Sequence, residues 1–342
     1  MFLSFSDFCA QAAADPALRT ACLLILAVLL VNGWTDAPNA IACAVVTRAL
    51  TFRRAVLLAA VCNFLGVICA TLLTPAVTYN IYSMAAFSGT PGQTLCALGA
   101  ALCTIVFWAV LAWLFGIPTS ESHALISGLS GAAVALEGGF GCIRWESWRS
   151  VLLGLVLSLG IGSLLGALTW KLLTPLSLSH SVCRRLQIPG AAVSAFLHGA
   201  QDGQKFLGVF LLACTLARGI HTEQTFLVPV WLILICALFM ALGTGLGGRR
   251  IIDTVGRKMV QPGPKEGLAG DIASGICLCL ATVLGFPVST THTRTAVLFG
   301  IGQAGQGVQN LQVVGNLLAA WFLTFPGCFL LGFAFCRILL GM

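Results

Sequence analysis

Asn32-Gly33-Trp34-Thr35-Asp36-Ala37-Pro38-Asn39-Ala40 places a carboxylate, an amide, a helix-breaking proline and a glycine in the middle of a long apolar run. On insertion scales an Asp at the centre of a membrane helix costs roughly 2.5–3.5 kcal/mol, so such a residue needs a bound cation or a functional partner to offset it. A related stretch returns much later as His198-Gly199-Ala200-Gln201-Asp202-Gly203-Gln204-Lys205.

The rest of the composition explains what surrounds these two stretches. Of 342 residues, 58% are hydrophobic and only 8% charged, where an average soluble domain carries about 25% charged residues. Apolar runs long enough to cross a bilayer recur from end to end, which predicts an all-α polytopic membrane protein embedded in a lipid bilayer. The net charge of +7 sits mainly in loops, the pattern of a membrane protein and not of a nucleic-acid binder. The fifteen cysteines are scattered through apolar segments without metal-ligand spacing and read as small buried hydrophobes. Asp7 and Asp15 precede the first apolar run, so a cleaved signal peptide is not expected.

In chain order, residues 1–18 are expected to form a short interfacial segment. The first apolar segment, 19–47, is interrupted by the opening motif. Pro38 removes a backbone donor and Gly33 loosens the helix, which predicts two half-helices. Spans are expected at 55–75 and 95–115. Next come the hydroxyl-rich turn Gly116-Ile117-Pro118-Thr119-Ser120-Glu121-Ser122-His123 and a short apolar stretch, 124–136. Together these predict a re-entrant hairpin. A span at 150–172 precedes the second broken segment, 188–216. Spans at 224–246 and 267–284 lead to a second turn, Gly285-Phe286-Pro287-Val288-Ser289-Thr290-Thr291-His292, and 308–339 follows with Pro326 inside it. Arg48, Arg53 and Arg54 mark one cytoplasmic loop, and Arg249, Arg250, Arg257, Lys258 and Lys265 mark another. The stretch 76–94 is uncharged and is expected outside, with the N-terminus.

Two unrelated motifs recur at near-equal offsets: 166 residues separate Asp36 from Asp202, and 169 separate Pro118 from Pro287. A duplication is therefore expected, with 19–183 as the first repeat and 184–342 as the second. With 48–54 and Arg184–Arg185 both read as cytoplasmic, the two broken segments enter from opposite sides and the repeats are inverted. Paired broken helices in corresponding positions of two halves point to a transporter site near the bilayer midplane.

The residue types suggest what such a site would take. A half-helix N-terminus exposes unpaired N–H groups and a positive dipole end, which attract an anion. Thr119, Ser120, Ser122, Ser289, Thr290 and Thr291 add small neutral donors that suit a tetrahedral oxyanion. Asp36 and Asp202 repel an anion by themselves and make sense if each helps to hold a cation. Asn39, Gln204 and freed backbone carbonyls supply further hard oxygens for one. Protonation of a buried carboxylate would serve equally for coupling, and Glu121, inside the first turn where Thr290 is its counterpart, is the candidate proton carrier. Lys205, aligned with Asn39, and Arg294, two residues past the second turn, are candidates for fixed positive charge near the anion. His123, His198 and His292 are read as orienting groups. No nucleophile–base pair or metal cluster stands out, so an enzyme is not expected.

These motifs resemble the inorganic phosphate transporter (PiT) family. The family pattern Gly-x-Asn-Asp-x-x-Asn-Ala is matched by Gly33 to Ala40, continued by Thr47-Arg48-Ala49-Leu50. The two hydroxyl turns are similar to the family's Pro-x-Ser-x-Ser/Thr-His turns. The resemblance implies an all-helical fold of two inverted repeats, each with a discontinuous helix and a re-entrant hairpin. It also implies a homodimer in the plasma membrane, the cytoplasmic membrane of a bacterium. Phosphate would be bound between the hairpin tips by Ser120, Ser122, Ser289, Thr290 and Thr291. Symport with H+ or Na+, without any other cofactor, would be coupled through Asp36, Asn39 and Asp202. Thr35 and Gln201 depart from the family by replacing the Asn before each Asp, and Lys205 replaces the second repeat's Asn. Two amide oxygens lost, at Thr35 and Lys205, a third shifted onto the longer Gln201, and one ammonium gained favour proton coupling, or one sodium site around Asp36. A sulfate permease of the same fold is the nearest alternative, and an anion channel a further one. Phosphate can donate a hydrogen bond and sulfate at neutral pH cannot, so acceptors such as Asp36 or Glu121 favour phosphate.

Overall fold

The computed structural model describes residues 4–83, 87–219, 228–259, 261–305 and 311–341, and among these it is helical throughout, with no strand. Short α1 (Phe5–Ala14) runs into α2 (Pro16–Thr35), whose N-terminus is capped by Asp15 accepting from the amides of Ala17 and Leu18. The first span therefore begins at Pro16, inside the segment expected to lie at the interface. After α2 the chain breaks at Asp36–Ala37 and resumes as α3 (Pro38–Val46), then α4 (Phe52–Leu73), α5 (Ala76–Tyr82), α6 (Pro91–Leu114) and α7 (Glu121–Glu137). Next come α8 (Trp145–Leu173), α9 (His180–His198) and a five-residue π turn at Gly199–Gly203, followed by α10 (Gln204–Leu216) and α11 (Val230–Leu246). The rest comprises α12 (Arg249–Asp253), α13 (Pro264–Val283), α14 (Thr290–Ala304) and α15 (Leu311–Leu340). Six of the described spans are long and apolar enough to cross a bilayer, counting α2 and α3 as one, and α11 with the helical segment Arg249–Gly256, which begins as α12 and is bent from α11 by 63°, would make a seventh.

Two expectations need correction. The second motif does not break its helix. Position 204 holds Gln where the first motif has Pro38, so every backbone donor is kept and the chain passes through as a wide π turn. The helix also starts at His180, eight residues before the expected 188. The 76–94 connection contains α5, which the uncharged sequence did not signal. The expected spans 224–246 and 308–339 begin at residues outside the described ones.

Helix packing repeats across the two halves. α7 lies on α6 and on α15, and correspondingly α14 lies on α13 and on α8. Likewise α2 lies on α11, and α9 on α4. Each half therefore seats its hairpin helix and its motif helix on long helices of the other. Against lipid, apolar burial drives little association, so close backbone approach by small residues carries the packing. A methyl at Gly131 of α7 would sit 2.0 Å from the Phe329 carbonyl oxygen, and one at Gly300 of α14 would sit 1.9 Å from that of Ser163. These two glycines are 169 residues apart, the offset of the hydroxyl turns.

Both turns are opened by a left-handed glycine, Gly116 at φ 67° and Gly285 at φ 74°, a conformation that side chains with a Cβ rarely adopt. Short helices brace them. Asn80 of α5 donates to the Gly285 carbonyl at 2.6 Å, and Arg250 of α12 donates to that of Leu114 at 2.9 Å. The large side chains left exposed, such as Leu153, Val156 and Leu164 on α8 and Phe322 and Leu330 on α15, form the apolar outer wall that a bilayer requires.

Gly131→Ala and Gly300→Ala should each lower stability by about 1–3 kcal/mol, the usual cost of overpacking. Gly92→Ala, with open space around its Cβ position, should be neutral or slightly stabilising. Thermal unfolding in detergent checks this, and equal midpoints for all three variants would contradict the close crossings.

Candidate functional site

The break after α2, the π turn after α9 and the N-termini of α7 and α14 converge on one buried cluster. Asp36, Asp202 and Glu121 are 4%, 2% and 3% exposed, and Lys205 only 1%. Such burial is tolerated only where charges are paired and hydrogen bonded.

On the first-repeat side, Asn39 Nδ2 donates to Asp36 Oδ1 at 2.8 Å and to Thr291 Oγ1 at 2.9 Å. Having accepted from Asn39, the Thr291 hydroxyl donates its own proton to Asp36 Oδ1. The Thr290 hydroxyl lies 3.2 Å from Asp36 Oδ2 and 3.4 Å from Asp202 Oδ2, so a single proton serves two carboxylates. The Thr35 hydroxyl is likewise 2.8 Å from the Val31 carbonyl and 2.7 Å from Glu121 Oε1. It can donate to only one of them, and a protonated Glu121 would satisfy both contacts.

On the second-repeat side, Lys205 Nζ donates to Asp202 Oδ1 at 2.6 Å, to Ser122 Oγ at 2.7 Å and to the Val288 carbonyl at 2.6 Å. One ammonium thus ties the tips of both hairpins to Asp202. Asn32 Nδ2 adds a bond to Asp202 Oδ2 at 3.2 Å. A relay fixes His198. Thr244 donates to the Met240 carbonyl and accepts from Asn63 Nδ2, which turns Asn63 Oδ1 toward His198 Nδ1 at 2.8 Å. Nδ1 therefore carries the proton, and Nε2 faces Asp202 Oδ2 at 3.4 Å. Two acceptors face one another there unless a proton or cation lies between them. Asp36, Asp202 and His198 offer ligand atoms within 4.8 Å of one another. Buried Asn32 Oδ1, Asn39 Oδ1 and Glu121 Oε2 have no hydrogen-bond partner among the described residues, so oxygens are available to a small hard cation.

The hydroxyl turns supply the donors. Ser120 and Ser289 cap α7 and α14, their Oγ atoms accepting from the amides of His123 at 3.3 Å and His292 at 3.2 Å. Each hydroxyl keeps its proton for another acceptor. Thr119 is half-buried just ahead of its cap. The rings of His123 and His292 lie 4.7 Å apart, so the two helix N-termini meet and point their positive ends at the same place.

Two expected site residues are not brought into the cluster. Gln204 spends its amide on α5 and the end of α4, accepting from the Thr78 amide at 3.3 Å and donating to the carbonyl of Thr74, the residue after α4, at 3.1 Å. Arg294 pairs with Asp271 and donates to the Gly270 carbonyl at 3.1 Å, so its charge is already neutralised on α13. Sequence reasoning passed over Asn32, Asn63 and Asp271. Each is a polar residue in a run that is otherwise apolar, and Asn32 lies one helical turn before Asp36, which was a readable signal.

Comparison with known proteins bears on the family and the fold. The model of the "Phosphate transporter family" matches residues 32–182 and 177–332. The chain is similar to a probable low-affinity inorganic phosphate transporter of Bacillus subtilis (strain 168), 34% identical over 321 residues, covering 89% of this chain and 94% of the relative. A relative of the same description in Rhizobium meliloti (strain 1021) is 34% identical over 323 residues, covering 88% and 90%. Among solved structures, a sodium-dependent phosphate transporter shares the fold at a TM-score of 0.85 and 21% identity, covering 96% of this chain and 100% of that one. These relatives are named as transporters, not as enzymes.

The duplication yields a stability test for the buried pair. The positions that correspond to Asp271 and Arg294 in the first half are Leu102 and Leu125, both fully buried. Arg294→Leu alone strands a buried carboxylate and should cost about 3–5 kcal/mol, whereas Asp271→Leu with Arg294→Leu should recover most of that loss. Thermal unfolding of both variants decides it. A double variant no more stable than the single one would show that the pair does more than balance charge.

Proposed function

We propose that this chain, which belongs to the phosphate transporter family, takes up inorganic phosphate across the plasma membrane by cation symport with alternating access. One observation carries the reading. Three buried carboxylates and a single ammonium are enclosed at the meeting point of two helix N-termini and two hydroxyl turns. The helix ends and hydroxyls favour a tetrahedral anion, while the carboxylates oppose it by Coulomb repulsion that low dielectric strengthens. Anion and cation therefore stabilise each other in the site, and loading one without the other is disfavoured. That mutual dependence is symport.

In this reading Ser120, Ser122, Ser289, Thr290 and Thr291 hold the anion, with Thr119 at the edge. Asp36 and Asn39 hold the cation on one side, and Asp202 lies opposite. The coupling ion is a proton carried by Glu121, a sodium ion at Asp36, or both. The unpartnered oxygens of Asn32, Asn39 and Glu121 support either, and the sodium-dependent solved relative adds weight to sodium. Glu121 Oε2 is also a buried acceptor that protonated phosphate can satisfy and sulfate cannot, which favours phosphate over sulfate. Residues 19–183 and 184–342 act as two inverted repeats that rock about the site, supported by the paired packing of α7 on α15 and α14 on α8. Assembly as a homodimer belongs to the same reading and rests on the family resemblance.

Purified full-length protein in proteoliposomes, with sodium and proton gradients imposed separately, provides the test. Saturable uphill phosphate uptake that excess sulfate barely inhibits is the expected result. Flux that never saturates would indicate a channel, and equal competition by sulfate would reassign the substrate. Thr291→Val should weaken apparent phosphate affinity about tenfold or more, corresponding to ~1.4 kcal/mol or more. Glu121→Gln, similar in shape but unable to release a proton, should abolish the response to a pH gradient. Unchanged pH-driven uptake in that variant would remove Glu121 from proton coupling.

A further inference from the structure

One pair of contacts recurs in both halves of the cluster, made by unlike residues. Asn39 bonds Asp36 and Thr291; Lys205 bonds Asp202 and Ser122. The offsets of 166 and 169 residues pair Asn39 with Lys205, Asp36 with Asp202, and Ser122 with Thr291. An amide brings donors and also an oxygen, and Asn39 Oδ1 is buried with nothing to bond. A lysine brings three donors, a full charge and no acceptor. The three oxygens around Nζ are a carboxylate, a hydroxyl and the Val288 backbone carbonyl, at 2.6, 2.7 and 2.6 Å. These are the ligand types that small hard cations take. With 1% of its surface exposed, the side chain has no route by which to snorkel to water.

We infer that Lys205 is a covalently tethered cation, standing where a dissociable coupling ion would otherwise sit beside Asp202. Lys205 then occupies the Oδ1 side of Asp202 permanently, and positive charge loads and releases at Asp36, at Glu121 and in the gap between His198 Nε2 and Asp202 Oδ2. A tethered charge returns with the empty carrier and adds nothing to the driving force. The protein thus moves one cation fewer per phosphate than two Asn-type halves would. The inference rests on the symport reading above and states which of its carboxylates take part. It also distinguishes Lys205 from an anion ligand, because all three of its donors are already occupied.

Lys205→Asn, which gives the second half the residue of the first, tests this in the full-length protein. Reversal potentials of phosphate flux in proteoliposomes report cations moved per phosphate. The variant should move about one sodium ion more than the unmodified protein, with a sodium Hill coefficient higher by about one. In detergent, sodium should raise its unfolding temperature more than it raises that of the unmodified protein. An unchanged ion count overturns the inference, and an unchanged count with a KM for phosphate raised about tenfold would make Lys205 an anion ligand instead. If Lys205→Asn does not fold, Lys205→Gln replaces it. The unmodified protein is an independent arm, since four or more coupling cations per phosphate would exceed what Asp36, Glu121 and the His198–Asp202 gap can take. Absence of phosphate flux under every gradient would sink the transport reading, while the sodium-dependent thermal shift would still decide whether Lys205 fills a cation site.

Discussion

Three carboxylates must be held inside a body that offers them no bulk water, and the rest of the structure is arranged around that constraint. The break at Pro38 frees backbone beside Asp36. The π turn at Gly199–Gly203 carries Asp202 into the same space without losing a backbone donor. The N-termini of α7 and α14 aim their dipoles at the cluster, and Asn39, Thr290, Thr291 and Lys205 supply the nearest donors. Even so, the donors are too few for the acceptors. One hydroxyl proton is divided between Asp36 and Asp202, and another between Glu121 and a backbone carbonyl. In the proposed symport, a site short of positive charge and protons in this way takes up a cation, and with it an anion that could not enter alone.

The two halves share a scaffold but not a chemistry. Their helices cross on corresponding glycines and their turns open on corresponding left-handed glycines. Against that common frame, Pro38 faces Gln204, Glu121 faces Thr290, Asn39 faces Lys205, and the buried leucines 102 and 125 face Asp271 and Arg294. The Pro38–Gln204 exchange changes the backbone path, broken in the first half and a continuous π turn in the second, whereas the others alter charge or hydrogen-bonding capacity. The asymmetry therefore sits in the side chains that set what is bound, and the symmetry in those that set how helices pack.

Much of this was legible in the sequence because the signals were local. A proline after a buried Asp, a Gly-x-Pro-x-Ser turn and a fixed offset between two copies are properties of short stretches, and the structure places Asp36, Asp202, Glu121, Lys205 and both hydroxyl turns together. What stayed hidden depended on the direction of a side chain in the folded body. Gln204 looked like a cation ligand beside Asp202, but helical geometry turns it outward onto α5. Arg294 looked like a free charge near the anion because its partner Asp271 lies on the preceding helix, 23 residues away. The helix α5 carries no charge and little periodicity, and becomes visible only through the bonds it makes to Gln204 and Gly285.

The most direct measurement is an experimental structure of the protein with arsenate, a tetrahedral stand-in for phosphate, with the arsenic located by its anomalous scattering. The expected result is one arsenic peak between the turns 118–123 and 287–292, with arsenate oxygens within hydrogen-bond reach of the Ser122 and Thr291 hydroxyls. A peak at Arg294 and Asp271, or an empty cluster with arsenate bound elsewhere, would contradict the assignment of the site.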